Sequence, residues 1–258
     1  MPTVQSHGVD IYYETRGSGP PLAFAHGAGG NHLSWWQQVP HFAATHEVIT
    51  FDHRGFGNSP CAGEDFLPEH FADDLVAIFD AESVERAAIV CQSMGGWTGL
   101  RLALHHPERV ACLILGGTPA GVVTPGVRDS LARAAKRIGK EGVAANAALA
   151  PDFPDRDPAR AFLYDQISGL NAPLPSDAMV RLPAAGVTEE QLVDFAVPTL
   201  MLAGTEDQLF APEALREVQA LIPGADLTEF PGVGHSLYFE DPQTFNRIVG
   251  DFVGKYSA

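Results

Sequence analysis

The sequence predicts an α/β fold built on a mostly parallel, doubly wound sheet. Short apolar runs alternate with longer helical patterns along the 258 residues, and strands that alternate with helices in this way form parallel sheets. The inner runs, such as Ala-Cys-Leu-Ile-Leu at 111–115 and Thr-Leu-Met-Leu at 199–202, have no polar alternation. Strands of this kind are covered by helices on both faces. A chain of this length can bury the core of one large domain.

Eight segments have the length and apolar content of strands. The first two follow each other closely, so we expect an antiparallel hairpin at one edge of the sheet. Gly17-Ser18-Gly19-Pro20 predicts a turn between the second and third strands. The predicted strands are Val4–Ser6, Val9–Thr15, Leu22–Ala25, Val48–Phe51, Ala87–Val90, Ala111–Leu115, Thr199–Leu202 and Asp226–Phe230.

Helical patterns lie between these strands and in one long segment without a strand pattern. That segment, residues 119–195, contains helical patterns at 128–140, 142–150, 158–169 and 176–182, separated by prolines. We call it the lid segment, because ligands of open α/β sheets bind beyond the carboxyl ends of the strands; helices that only pack on the core are the alternative. The chain is thus divided into a core part at 1–118, the lid segment and a second core part at 196–258. The core helices are predicted over Trp35–Ala43, Glu69–Ala81, Gly95–His105, Pro212–Leu221 and Pro242–Val253.

Charge and cysteine content limit the partners and the compartment. The formal net charge of −16 argues against nucleic acid and anionic membranes, because both would repel the protein at long range. Cys61, Cys91 and Cys112 have no metal-binding spacing, which is typical of reduced thiols in a cytoplasmic protein. The sequence has neither a signal-peptide pattern nor an apolar run of about 20 residues. We expect a cytoplasmic monomer or homodimer without a metal or a cofactor.

Residues 90–96, Val-Cys-Gln-Ser-Met-Gly-Gly, lie between an apolar run and a helical pattern. A serine on a tight strand-to-helix turn between small residues exposes its hydroxyl group to substrate. That hydroxyl is a weak nucleophile unless a base, normally a histidine held by a carboxylate, removes its proton. Ser93 is therefore the candidate nucleophile, and the rest of the chain must supply the base and the acid.

The candidate base is His235, in the Gly-rich run Phe-Pro-Gly-Val-Gly-His-Ser-Leu between the last strand and the last helix. The candidate acid follows the strand that ends near residue 202, where Glu206 and Asp207 compete. We favour Asp207 because it comes later in the turn and precedes apolar residues that would shield it. The order serine, aspartate, histidine is the order of α/β hydrolases.

The loop after the third strand, His26-Gly27-Ala28-Gly29-Gly30, is the candidate oxyanion loop. Attack on an ester carbonyl creates an oxyanion that needs N–H donors already in place. The backbone N–H groups of Ala28 and Met94 are the expected donors. A phosphate-binding role is disfavoured, because neither Gly-rich phosphate motif is present.

Taken together, these motifs resemble the α/β-hydrolase superfamily, in particular its small-lid branch of esterases, lactonases and cofactor-free peroxidase-like enzymes. The resemblance implies an eight-stranded sheet flanked by helices with an inserted lid, a Ser93–His235–Asp207 triad, and oxyanion donors at Ala28 and Met94. Cys91 departs from the glycine usual at the elbow. The stretches that carry the resemblance are His26-Gly27, Asp52-His53-Arg54-Gly55-Phe56-Gly57-Asn58-Ser59, the elbow around Ser93, Gly204-Thr205-Glu206-Asp207, Gly234-His235 and Phe239-Glu240-Asp241-Pro242. The Asp52–Ser59 stretch is a structural turn near the active site in such proteins.

A serine at the elbow separates the activities that this resemblance allows. Relatives that are dehalogenases or epoxide hydrolases use aspartate there, whereas serine favours acyl transfer to water. We expect a serine hydrolase of small-molecule carboxylic esters or lactones that works through an acyl-enzyme. A carbon–carbon bond hydrolase or a perhydrolase with the same triad is the alternative, and a non-catalytic ligand-binding protein is a third. The residues expected to line the substrate pocket are Trp35, Trp97, Phe210 and Leu237.

Overall fold

An eight-stranded sheet forms the centre of the protein. The structure is a computed structural model that describes residues 2–141 and 145–256. In chain order the strands are β1 (Thr3–Ser6), β2 (Val9–Gly17), β3 (Pro21–Ala25), β4 (Glu47–Phe51), β5 (Ala87–Gln92), β6 (Val110–Gly116), β7 (Thr199–Gly204) and β8 (Asp226–Phe230).

The strand order across the sheet is β1-β2-β4-β3-β5-β6-β7-β8. β2 pairs antiparallel with both β1 and β4, and all other neighbours pair in parallel. The predicted edge hairpin and the mostly parallel sheet are therefore confirmed. The carboxyl ends of the parallel strands share one edge, and the loops that follow β3, β5, β7 and β8 carry the candidate catalytic groups.

Helices connect the strands and cover the sheet. In the described residues the α-helices are α1 (Val39–Phe42), α2 (Phe71–Ala81), α3 (Gly95–His105), α4 (Pro125–Glu141), α5 (Phe153–Arg156), α6 (Pro158–Ser168), α7 (Ala178–Arg181), α8 (Glu189–Leu192), α9 (Pro212–Leu221), α10 (Leu237–Glu240) and α11 (Pro242–Val253). Short 3-10 helices span His32–Trp35, Gly63–Asp65, Pro68–His70, Pro107–Arg109, Ala145–Ala148 and Leu182–Ala185.

Alternate residues of the central strands face two separate cores. Ala23 and Ala25 of β3 belong to the core that also contains residues of α2, α3 and α9. Leu22 and Phe24 belong to the core that contains residues of α1 and α11. This two-sided burial is the reason why the inner strands carry apolar residues without alternation.

The helix predicted over Trp35–Ala43 is not continuous in the structure. It is replaced by the 3-10 helix His32–Trp35 and by the short helix α1. Pro40 has no backbone N–H and would clash with a preceding helical turn, so a helix cannot run through this position and restarts with the proline in its first turn. The Asn31 side chain begins the 3-10 helix by accepting a hydrogen bond from the Leu33 N–H.

The segment between β6 and β7 is helical, with α4 to α8 in its described part. One parallel bridge, between Val122 and Val187, joins its beginning to its end. The predicted helix at 142–150 starts at residues 142–144, outside the described residues, and Ala145–Ala148 form a 3-10 turn. The division of the chain at 118 and 195 stays a prediction. In the described part of the chain, no helix combines the length and the apolar character that crossing a bilayer requires.

Candidate active site

Ser93 occupies a sharp turn between β5 and α3. Its backbone has φ = +49°, in the left-handed region that residues other than glycine rarely adopt. The Ser93 N–H donates a hydrogen bond to the Gly116 carbonyl, at the carboxyl end of β6 (3.0 Å). A strained strand-to-helix turn of this kind is the geometry that lifts a nucleophilic hydroxyl above the sheet.

Cys91, at the position where the family pattern has glycine, is accommodated by a glycine on the facing helix. A methyl group on Gly99 of α3 would overlap the Cys91 sulfur and lie 2.7 Å from Leu113 Cδ1. Cys91 is fully buried, and burial raises the pKa of its thiol. The side chain thus packs against α3, and its surroundings disfavour the thiolate that a cysteine nucleophile needs.

His235 and Asp207 are joined by a hydrogen bond between buried side chains. His235 Nδ1 lies 2.8 Å from Asp207 Oδ2, and the two side chains are 3% and 0% exposed. The other carboxylate oxygen accepts from the N–H groups of Leu209 (2.8 Å) and Phe210 (3.0 Å). Both oxygens are therefore occupied and the carboxylate orientation is fixed. The adjacent Glu206 is exposed.

The second ring nitrogen of His235 is available as a base. Because an ionised carboxylate only accepts hydrogen bonds, Nδ1 carries the proton and Nε2 carries the lone pair. Nε2 is buried and hydrogen bonds to no residue that the structure describes. A methyl group on Gly117 would lie 3.2 Å from His235 Nδ1. The imidazole thus lies at the end of β6, beside the residue that anchors Ser93.

The candidate oxyanion loop forms a tight turn next to Ser93. The Gly30 N–H donates to the Gly27 carbonyl (3.0 Å), and Gly29 has φ = +83°, which makes glycine necessary there. A methyl group on Gly27 would lie 2.9 Å from Ser93 Cβ. We call residues 27–30 the oxyanion turn.

Two backbone N–H groups lie free on this side of the site. Within residues 2–141 and 145–256, neither the Ala28 N–H nor the Met94 N–H donates a hydrogen bond. Ala28 belongs to the oxyanion turn, and Met94 directly follows the candidate nucleophile. Their catalytic role stays a prediction, and the free donors are what that role requires.

The His26 imidazole hydrogen bonds to the oxyanion turn. Its Nε2 accepts from the His53 N–H (3.0 Å), so its Nδ1 carries the proton and donates to the Gly27 carbonyl (2.8 Å). Complete burial lowers the pKa of His26 to about 4, and the ring is neutral near pH 7. Sequence analysis used His26 only as part of a motif and missed this contact.

Asp52 anchors the chain that leaves the oxyanion turn. Its buried carboxylate accepts from the N–H (2.6 Å) and Nδ1 (2.8 Å) of His32 and from the Asn58 N–H (2.7 Å). Burial alone would raise the pKa of Asp52, but the His32 and Asn58 hydrogen bonds lower it below its usual value. The Asp52–Ser59 motif thus ties the loop after β4 to the residues that follow the turn.

Glu240 joins the lid segment to the loop that carries His235. Its completely buried carboxylate accepts from the N–H groups of Ala150 and Gly234 (both 3.1 Å), and Arg156 Nη2 lies 3.7 Å from its second oxygen. Burial raises the pKa of Glu240 to about 7, and the two N–H donors only partly oppose this rise. Sequence analysis did not single out this residue as functional.

The four predicted pocket residues are distributed between the site and the core. Phe210 lies beside His235, with ring centroids 5.9 Å apart. Trp97 is half-buried and donates from Nε1 to the Leu182 carbonyl of the lid segment (3.1 Å). Trp35 and Leu237 instead have no exposed surface, because they pack in the core, where the Trp35 ring lies tilted against the rings of Phe24 and Tyr238. Neither therefore offers surface to a substrate in this structure.

One group of potential metal ligands occurs in the part of the chain that the structure describes: His7, His70 and Asp73. The two imidazole rings are stacked, with centroids 3.8 Å apart and planes inclined by 14°. Nitrogen lone pairs lie in the ring planes, so those of nearly parallel rings do not converge on one ion. We assign no metal to this group.

Known proteins resemble this chain in sequence and in fold. The model of the alpha/beta hydrolase family matches residues 22–248. Over 272 aligned residues the chain is 31% identical to the protein of Azorhizobium caulinodans that is provisionally named carbamate hydrolase RutD, with 99% of both chains covered. It is 28% identical to 3-oxoadipate enol-lactonase 2 of Acinetobacter baylyi, over 96% of this chain and 94% of the relative.

A solved structure also resembles this chain over almost its full length. Est816, described as an N-acyl homoserine lactone degrading enzyme, superposes with a TM-score of 0.82 and 29% identity, covering 98% of this chain and 100% of that one. The names of the relatives support a hydrolase as the general class of the protein. From its sheet topology and the match over residues 22–248, we conclude that the chain belongs to the alpha/beta hydrolase family.

Proposed function

We propose that the protein is a serine hydrolase that cleaves small-molecule carboxylic esters or lactones. Ser93 is the nucleophile, His235 the general base and acid, and Asp207 the residue that orients the imidazole. The observation that carries the proposal is the state of His235: its Nδ1 is bound to Asp207 and its buried Nε2 is left without a partner among the described residues. A general base needs this combination of fixed tautomer and free lone pair.

In the first half of the reaction, Ser93 Oγ attacks the carbonyl carbon while its proton passes to His235 Nε2. The former carbonyl oxygen becomes an oxyanion, which accepts hydrogen bonds from the Ala28 and Met94 N–H groups. The tetrahedral intermediate then collapses, the bond to the leaving oxygen breaks, and that oxygen takes the proton from Nε2. The products of this half are an alcohol and an acyl-Ser93 ester; from a lactone, both remain on one molecule.

In the second half, water replaces Ser93 as the attacking group. His235 Nε2 takes a proton from the water as its oxygen bonds to the acyl carbon, and it returns that proton to Ser93 Oγ when the acyl–serine bond breaks. A carboxylic acid leaves and the resting enzyme is restored. Asp207 stabilises the positive imidazolium in both halves without taking up the proton itself.

Two of the relatives make lactones and esters the first substrates to test, while others are named carbamate hydrolase and 2-hydroxymuconate semialdehyde hydrolase. A 3-oxoadipate enol-lactonase and an N-acyl homoserine lactone degrading enzyme both resemble this chain over almost its full length. Lactones and esters share the carbonyl and the oxygen leaving group that the steps above require. A carbon–carbon bond hydrolase would use the same triad and is therefore included as an outcome of the test.

The experiment compares the wild type, S93A and the control variant S176A on 4-nitrophenyl butyrate and on a set of simple lactones. Ser176 is an exposed serine of the lid segment. We expect turnover by the wild type and S176A, and a loss of about 10⁴-fold or more in S93A. A fluorophosphonate probe should label the wild type and S176A but not S93A. Ester turnover that survives in S93A would overturn the proposal, whereas cleavage of a vinylogous diketone without ester turnover would favour the carbon–carbon hydrolase.

A further inference from the structure

Asn171, just beyond α6 in the lid segment, touches two loops of the core with one side chain. Its Nδ2 donates to the Gly29 carbonyl of the oxyanion turn (2.8 Å), and its Oδ1 accepts from the Gly57 N–H in the loop after β4 (2.9 Å). A carbonyl can only accept and a backbone N–H can only donate, so these two partners fix the orientation of the amide. Residues 29 and 171 are 142 positions apart in the sequence.

A second asparagine holds the same part of the lid segment from the core side. Asn31, which is buried, donates from Nδ2 to the Ile167 carbonyl of α6 (2.9 Å) and accepts at Oδ1 from the Leu33 N–H (3.0 Å). Its Nδ2 also lies 3.5 Å from Asn171 Oδ1. The end of α6 is therefore bonded to Asn31, which directly follows the oxyanion turn, and Asn171 just beyond α6 is bonded to Gly29 within the turn.

Two successive hydrogen bonds connect the Asn171 side chain to the peptide that carries the Ala28 N–H. Asn171 holds the carbonyl of the peptide between Gly29 and Gly30, and the N–H of that same peptide donates to the Gly27 carbonyl (3.0 Å). The Gly27 carbonyl belongs to the peptide whose N–H is that of Ala28. Because a peptide unit is planar, fixing its carbonyl also fixes the direction of its N–H.

We propose that Asn171 is a positioning residue, which holds the oxyanion turn so that the Ala28 N–H faces the oxygen formed by attack of Ser93. This inference rests on the proposed function. It assigns the lid segment a part in assembling the oxyanion hole as well as in covering it. Asn171 acts through the turn and does not touch the reacting atoms.

The test measures kcat and KM for 4-nitrophenyl butyrate in the wild type, N171A, N171D and Q166A. N171A loses the contacts with Gly29 and Gly57, and also those with the Ser168 carbonyl and with Asn31. N171D keeps the acceptor for Gly57 but cannot donate to Gly29. Gln166 is an exposed amide on α6 and is the matched control. We expect kcat to fall about 10- to 100-fold in N171A and N171D with little change in KM, since a misplaced donor costs less than a lost one. Q166A should behave as the wild type.

A second measurement separates positioning from general damage to the fold. The affinity of a boronic acid, which forms a tetrahedral adduct on a serine, should weaken in N171A and N171D by the same factor as kcat/KM, while the affinity of butyrate stays constant. Thermal unfolding establishes that each variant is folded. Unchanged kcat in folded N171A, or a fall in kcat/KM without weaker boronic acid binding, would overturn the inference while leaving Ser93-dependent hydrolysis intact. A wild type without Ser93-dependent turnover would instead overturn the proposed function, and this inference with it.

Discussion

His235 Nδ1 lies 2.8 Å from Asp207 Oδ2, at the end of a chain of contacts that starts at the N–H groups of Leu209 and Phe210. The carboxylate that meets the imidazole is therefore held on its other oxygen by the backbone of its own turn. Glu206, one residue earlier, is exposed. Of the two acids that compete in the sequence, Asp207 is the one whose position suits the orientation of His235.

Replacing Asp207 by asparagine should remove most of the activity without unfolding the protein. The amide can donate to Nδ1 and so favour the wrong imidazole tautomer, with the proton on Nε2. Because the wrong tautomer has no lone pair on Nε2 to take up the proton of Ser93, we expect kcat to fall about 10⁴-fold in D207N. The matched variant E206Q changes an exposed side chain in the same turn and should keep wild-type kcat. Equal losses in D207N and E206Q would show that the turn as a whole, and not the carboxylate on His235, is sensitive.

His26 should make the protein less stable in acid. Its pKa is about 4 in the folded protein and 6.5 as a free side chain, so the unfolded chain takes up the proton first as the pH falls. The contribution of the neutral His26 side chain to the free energy of unfolding is fully present above pH 6.5 and is lost as the pH falls through about 4. The loss should reach about 3 kcal/mol in the free energy of unfolding.

The measurement is urea unfolding of the wild type, H26Q and H105Q at pH 7 and pH 4.5. His105 is exposed, so H105Q should keep the wild-type difference between the two pH values. H26Q should show a smaller difference, whatever its absolute stability. If the wild type and H26Q lose the same free energy of unfolding, burial of the neutral imidazole is not a source of acid sensitivity.

Glu240 should make the protein less stable as the pH rises, the reverse of the effect of His26. Burial raises its pKa from 4.5 to about 7, so the folded protein holds a proton that the unfolded chain releases. The stabilisation is complete below pH 4.5 and is lost as the pH rises through about 7, by an amount on the order of 3 kcal/mol. E240Q, which cannot ionise and can still accept from Ala150 and Gly234, should lack this loss. Urea unfolding at pH 5 and pH 8 measures it, with E206Q as the exposed control; parallel behaviour of E240Q and the wild type would contradict it.

Gly99 should tolerate a methyl group only when Cys91 is shortened. In G99A the new methyl group overlaps the Cys91 sulfur, and overpacking of a core costs about 1–3 kcal/mol. The double variant C91A/G99A removes that overlap and should recover much of the loss, while Leu113 still crowds the site. Thermal or urea unfolding of the two single variants and the double variant gives the coupling. Strictly additive destabilisation would mean that the two residues do not compete for the same space.

The sheet was largely predictable because burial on two faces leaves a direct mark on sequence. All eight predicted strands occur, with ends displaced by at most two residues, as at β5, which extends to Gln92. The helix predicted across Pro40 was wrong, because the proline has no backbone N–H with which to continue a helix from the preceding turn. Trp35, a predicted pocket residue, packs in the core; a large aromatic side chain near a motif has the same sequence signature in a core as in a pocket.

The contact between Asp207 and His235 was predictable from their places at neighbouring strand ends, and it is present in the structure. The residues that support the site were not predictable in this way. Asn171 is bonded to a glycine 142 positions away, and Glu240 to a backbone N–H 90 positions away. Such pairs leave no periodic pattern, since one partner is a backbone group that every residue possesses.

The lid segment connects two strands that are themselves paired. Gly116 of β6 lies opposite Leu202 of β7, so the sheet fixes where the insertion leaves and where it returns, whatever its length. The segment can therefore change in length or sequence without disturbing the register of the core. The hydrogen bond from Asn171 to Gly29 sets a limit to that freedom, because a replacement segment without a donor at this point would leave the Gly29 carbonyl of the oxyanion turn without this contact to the lid segment.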